Sequence, residues 1–384
     1  MRRLLAAIAT ICLLGATPPA NYNAFGIAVL QRLAAQAHNQ NVFISPVSLG
    51  VALAMAADGA AGSTRTQMLA ALRVRDTNLA QANAELIASL QSNHDATIGI
   101  ANALWLRQDI PPRPQYVSLL TREYRARAQA LHFGDPSAAA AINAWTRQHT
   151  LGLIDNLVDS TNANDYAYLT NALAFEGKWA APFEHDVTSL QAFTDASGRK
   201  HNVEMMSRVG TYQAGDGSGF RALSLPYGHG SYAAYILLPS GTSASALAGT
   251  LSASTFDHLA RANRPAYLRV SLPRFTIEYQ ANLPPVLKAL GIQSAFNQRA
   301  AEFAPMTGVP HGVYIASVVH KAYVRVDESG TTAAAATSVG FRVMAIYRPS
   351  PPPPFIVDKP FVLALRDEHS GTLLFIGVIN SITQ

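Results

Sequence analysis

Apolar and polar positions change their rhythm along the chain. Early on the spacing is helical: Phe25, Val29, Leu30 and Leu33 follow Asn23 and predict an amphipathic helix. Asn41-Val42-Phe43-Ile44 reads as a short strand, and Ser45-Pro46 offers an N-cap with proline at the first helical position. The helix over 46–55 is apolar nearly all round and should be buried. Gly59 closes it, and 63–68 opens the next. Helical patterns recur at 79–90, 113–124 and 142–154, with a strand at 97–106 among them. Strand patterns then take over, at 166–175, 220–225, 232–238 and 267–279. Near the end, an apolar run over 313–319 leads into alternating Tyr323, Val324, Arg325 and Val326. A hairpin of two buried strands, 361–365 and 373–379, turns through 367–371. Helices early and strands late predict an α+β fold with large mixed or antiparallel sheets.

The stretch between Val326 and Phe361 breaks this rhythm. The residues after Pro360 are too few to form a domain, so their strands must complete the main core. The stretch, about 328–354, is then a long loop between two core strands. Connections longer than about 15 residues without regular structure are more often functional than accidental. Glu328, Ser329 and Gly330 offer a turn, and Gly330 permits backbone angles other residues resist. Read at period two, Thr331, Ala333, Ala335, Thr337, Val339 and Phe341 share one face. Thr332, Ala334, Ala336, Ser338, Gly340 and Arg342 share the other. No charge falls between Ser329 and Phe341, so this segment suits a strand buried in the middle of a sheet.

Composition adds bounds. With 384 residues, 49% of them hydrophobic, the chain can bury a large core, and no linker or charge run divides it. We read 21–384 as one domain and 1–20 as a secretory signal peptide, from Met1-Arg2-Arg3 and the short apolar run after it. That run is well below the roughly 20 residues a membrane span requires, and the protein is expected to be a secreted or periplasmic monomer. The lone Cys12 lies inside the leader, so the mature chain would hold together by packing alone. Net charge is +5, but charged residues make up only 14% and do not cluster, which argues against nucleic acid as a partner.

Catalytic patterns fail when tested. Ser197-Gly198-Arg199-Lys200 has the Ser-x-x-Lys spacing of penicillin-binding enzymes but none of its companion motifs, and Gly198 reads as a turn residue. Gly177-Lys178 lacks the remainder of a phosphate loop, and the 11 histidines include no zinc pair. No metal or cofactor site is read from the chain, and an enzyme is not expected. His320, inside an apolar strand, needs hydrogen-bond partners and reads as structural.

Several blocks carry a family resemblance. Asn41 to Ser48 with 52–55 and 59–64, then Asn171, Phe175, Gly177-Lys178-Trp179 and Phe183, resemble blocks of the serpins. Leu225-Pro226-Tyr227, Leu272-Pro273-Arg274-Phe275, His320-Lys321-Ala322 and Lys359-Pro360-Phe361 continue the match in order, from Asn21 to the C-terminus. Glu328, Gly330, Thr331, Thr332, Ala333, Ala334, Ala335, Ala336 and Thr337 resemble the loop hinge of inhibitory members. Thr332 departs from the acid common there, and Ser329 departs as well, but neither adds bulk or charge.

The resemblance implies a serpin fold with a large central sheet, about eight or nine helices and an exposed reactive-centre loop. It implies a suicide-substrate inhibitor of a serine protease, with cysteine proteases as a second target class. The alternative is a non-inhibitory member acting as chaperone or carrier. Counting from Gly330 as in inhibitory members gives Met344-Ala345 as the reactive bond, which suits elastase-, chymotrypsin- or subtilisin-like enzymes. The extended tract 351–354 leaves register slips open toward Arg342, Tyr347 or Arg348. Ser45, Ser48, Asn171 and His320 match the family's polar cluster beneath the opening strands, and Trp179 its upper end. By resemblance these residues gate insertion.

Overall fold

The computed structural model describes residues 18–382 apart from 76 and 332–350. The chain runs α1 (Pro18–Gln36), β1 (Val42–Ile44), α2 (Pro46–Asp58), α3 (Gly62–Leu72), α4 (Leu79–Ser92), β2 (Ala96–Arg107), α5 (Pro114–Glu123), β3 (Arg127–Leu131) and α6 (Pro136–His149). Strands β4 (Ala167–Lys178), β5 (Ser189–Thr194), β6 (Lys200–Gly217), β7 (Phe220–Tyr227) and β8 (Tyr232–Pro239) follow. Two helices, α7 (Ala244–Thr250) and α8 (Ala253–Ala262), precede β9 (Arg264–Pro273) and β10 (Phe275–Asn282). The short α9 (Pro284–Ala289) and α10 (Ala304–Thr307) lead to β11 (Ile315–Val326), β12 (Gly330–Thr331), β13 (Pro354–Ile356), β14 (Phe361–Asp367) and β15 (Leu373–Ile379).

Two sheets result. One has nine strands in the order β1-β15-β14-β8-β7-β6-β9-β13, with β5 on β6; the other has six, β10-β11-β12-β4-β2-β3. Helix α2 is buried from Pro46 to Ala57 and packs on β15 of the first sheet and on β2 and β4 of the second. An all-round apolar surface is what a helix in that position needs. Its N-cap is Ser45, whose Oγ accepts from Ser48 N at 3.2 Å. Each fully buried side chain such as Leu53 or Met55 contributes about 1.5–3 kcal/mol to holding the layers together. Among the described residues no helix is long and apolar enough to cross a membrane.

Several sequence expectations shift. The first helix reaches back to Pro18, overlapping the segment read as leader. The helix expected over 142–154 is Pro136–His149, with Asp135 as N-cap accepting from Ser137 N at 2.8 Å. The single strand expected over 267–279 is two strands, β9 and β10, which belong to different sheets and break at Arg274. Helix α6 lies against β2 of the six-stranded sheet, where Ala138, Ala139 and Ile142 join Trp105, Tyr168 and Val319 in a second buried cluster.

Candidate functional site

The site is the seam between β4 and β11. These strands pair in parallel from Ile315↔Ala167 to Ala322↔Leu173, and their direct pairing goes no further among the described residues. Strand β12 pairs antiparallel with both, so the two strands part at their upper end to admit it. Two residues form it. After β11 the chain turns sharply at Asp327, whose Oδ1 accepts from Ser329 N at 3.0 Å and whose N donates to Gly330 O at 2.9 Å. Gly330 and Thr331 then run back between the two strands, with Thr331 opposite Val326 on one side and Gly177 on the other. Gly330 is required there because a Cβ would lie 2.1 Å from Gly177 O.

Thr331 is fully buried. Its Oγ1 lies 2.6 Å from Tyr227 Oη, whose ring stacks on Trp179 at 4.4 Å and meets Phe175 edge-on at 5.0 Å. Trp179 Nε1 donates to Asp327 O at 2.9 Å, so the tryptophan is pinned to the turn itself. Glu328, also buried, is held from the other side. Arg274 Nη2 donates to its two carboxylate oxygens at 2.7 and 2.8 Å, and Thr188 Oγ1 donates at 2.7 Å. Burial opposes the charge on Glu328, but the Arg274 and Thr188 bonds outweigh it and hold the carboxyl below its ordinary value.

Lower in the seam lies a closed polar cluster. Ser45 N donates to His320 Nε2 at 3.1 Å, which leaves the ring proton on Nδ1 to donate to Asn171 Oδ1 at 2.6 Å. Asn171 Nδ2 donates in turn to Ser48 O at 2.8 Å and also faces Ser48 Oγ and Asn102 Oδ1. Because His320 is wholly buried, desolvation pushes its pKa down to about 3. This network joins α2 to β2, β4 and β11, the strands on both sides of the seam.

Of the residues singled out from sequence, Ser45, Ser48, Asn171 and His320 form the cluster, while Trp179 stands with Glu328, Gly330 and Thr331 at the upper end. Thr332, Ala333, Ala334, Ala335, Ala336, Thr337, Met344 and Ala345 lie outside the described residues. Sequence reading missed Arg274, Thr188, Tyr227 and Asn102. Only Arg274 and Tyr227 left a trace, inside motifs read for the family resemblance alone.

The family model described as serpin (serine protease inhibitor) matches residues 20–382. The chain belongs to the serpin family. Serpin-Z1C of Triticum aestivum is 33% identical over 362 residues, covering 88% of this chain and 90% of that protein. The crystal structure of native protease nexin-1 with heparin is similar with a TM-score of 0.86 at 28% identity, covering 95% of this serpin and 99% of that chain. Human thyroxine-binding globulin is similar at a TM-score of 0.88 and 24% identity, over 96% and 99% of the two chains, a likeness of fold alone.

Proposed function

We propose that this serpin is an exported suicide-substrate inhibitor of serine proteases. The target's serine attacks the carbonyl carbon of Met344. The bond to the Ala345 nitrogen breaks, and Met344 is left as an acyl ester on the enzyme. The freed segment from Gly330 onward then enters the seam between β4 and β11. Strand insertion of this kind is one of the general modes by which proteins add a strand to a sheet. The 14 residues from Thr331 to Met344 span roughly 45 Å at about 3.3 Å each, so a tethered enzyme travels the length of the sheet.

The observation that carries this reading is the seating of Gly330 and Thr331 between β4 and β11, because it supports the seam as the path of insertion. The uncharged run from Thr331 to Gly340 supplies side chains that can follow them into a buried position. About ten new backbone hydrogen bonds at roughly 0.5–1.5 kcal/mol each would release on the order of 10 kcal/mol, comparable to the stability of a whole domain. Ser45, Ser48, Asn171 and His320 act as the latch on this opening, and Trp179 and Glu328 hold the hinge. The unbranched apolar Met344 suits enzymes with an apolar primary pocket.

Incubation with pancreatic elastase, chymotrypsin and subtilisin tests the reading. The expected outcome is a complex stable to SDS and a released C-terminal peptide that begins at Ala345. Complete cleavage without any such complex would reject inhibition, and a peptide beginning elsewhere would reject the assigned bond.

A further inference from the structure

The turn between β7 and β8 is held by a buried carboxylate from another part of the chain. Asp95 stands one residue before β2, and its side chain is only 7% exposed. Its Oδ1 accepts from His229 Nδ1 at 2.8 Å and its Oδ2 from Ser231 N at 3.0 Å, so both oxygens are committed to the 228–231 turn. A Cβ on Gly228, where φ is 50°, would lie 2.5 Å from Oδ1, so the turn closes on the carboxylate only because that residue is glycine. The bonds from Ser231 and His229 outweigh burial and hold the carboxyl well below its usual range.

Charge-assisted bonds of this kind are the strong ones, so Asp95 fixes the turn against the start of β2. Tyr227 sits at the root of the same turn. Gly230 N donates back to Tyr227 O at 2.7 Å, and Gly228 N donates to Lys178 O at 2.8 Å. Tyr227 is fully buried, with its ring on Trp179 and its Oη 2.6 Å from Thr331 Oγ1. Beside Asp95, Ala96 pairs with Gly177, the residue that also faces Thr331. One carboxylate therefore ties the start of β2 to the turn that carries Tyr227, and both border the seat of Thr331.

We propose that Asp95 is a positioning residue for loop insertion: by holding the 228–231 turn it aims Tyr227 at Thr331 and keeps the hinge seated at the mouth of the seam. Its consequence for a protease rests on the inhibitory reading above, whereas the seating of Thr331 belongs to the uncleaved protein. Both oxygens of Asp95 are taken by the turn, so its effect on the hinge passes through Tyr227. A plain tie between two turns would instead weaken the intact and the cleaved protein alike and leave the hinge untouched.

Two measurements on Asp95→Ala, Asp95→Asn, Tyr227→Phe and the double variant Asp95→Ala/Tyr227→Phe test this. The first is amide hydrogen exchange over residues 326–331 of the uncleaved protein; the second is the SDS-stable complex formed per loop cleaved. Asp95→Ala is expected to speed exchange over 326–331 roughly tenfold, the effect of about one lost hydrogen bond on local opening, and to lower the complex per cleavage roughly threefold. Asp95→Asn keeps an acceptor oxygen for Ser231 N and should recover much of both. The double variant should match the worse single variant, because the two residues act in series. Unchanged exchange in Asp95→Ala, or additive losses in the double variant, would overturn the assignment. If the parent protein forms no complex with any of the three enzymes, the inhibitory reading falls, and the exchange measurement still decides the role of Asp95.

Discussion

His320 is held as a neutral imidazole because Nε2 accepts from Ser45 N and Nδ1 donates to Asn171. Burial sets its pKa to about 3, below the 6.5 of an unfolded histidine. The unfolded chain therefore takes up a proton first as pH falls. Stability is full above about pH 6.5 and declines toward pH 3, by about 2 kcal/mol at pH 5. Denaturant midpoints of the parent protein should fall between pH 7 and 5, and those of His320→Gln should fall much less over the same interval. Equal slopes would place the acid sensitivity elsewhere. Glu328 acts in a lower window. Its folded pKa is depressed, so the Arg274 contact is present above about pH 4.5 and is lost as pH drops through the folded value. Glu328→Gln removes the charge from a buried, charge-assisted bond and should cost about 1.5–3 kcal/mol in urea unfolding at neutral pH. An unchanged midpoint would mean that Arg274 finds an equivalent partner in Glu204, which it also reaches at 2.5 Å.

At the scale of elements, the two-residue strand β12 decides what the hinge can do. Thr331 tolerates burial because its one polar atom meets Tyr227 Oη. Thr331→Arg would place an unpaired charge in that pocket, at a cost that keeps the segment out of the seam. This variant is expected to be cleaved by the target protease and to form at least tenfold less stable complex; undiminished complex would show that insertion does not pass through this position. The elements also show which parts of the fold were legible in sequence. Helix α2 was plain because a helix buried between two sheets must be apolar on every side. Strands β14 and β15 were plain as continuous apolar runs. Strand β6 was not, because its 18 residues pair successively with β5, β9 and β7 and its buried face changes along the way. Helix α6 was misplaced because its first turns carry only alanine, a weak apolar signal, although Asp135-Pro136 announced the start. The hinge clamp was hidden for a different reason: Glu328 and Arg274 lie 54 positions apart, and Pro273, which marks the break between β9 and β10, does not say where Arg274 points.

Considered as a whole molecule, the proposed inhibitor would pair a sheet that takes one more strand with the segment after Thr331 that supplies it. A fold that gains on the order of 10 kcal/mol by inserting its own loop is held by a barrier, not by being the most stable arrangement. In the proposed mechanism the barrier would be built from the polar network at His320, which joins β4 to β11, and from the hinge contacts, where Trp179 after β4 donates to Asp327 O after β11. With about 2.1 cal/mol/K of unfolding entropy per residue, that gain should raise the melting midpoint on the order of 10 °C. Thermal unfolding before and after a single proteolytic cut between residues 340 and 350 tests this most directly. The account predicts a rise on that scale, because the cut frees the loop to enter between β4 and β11. An unchanged midpoint after complete cleavage would contradict it.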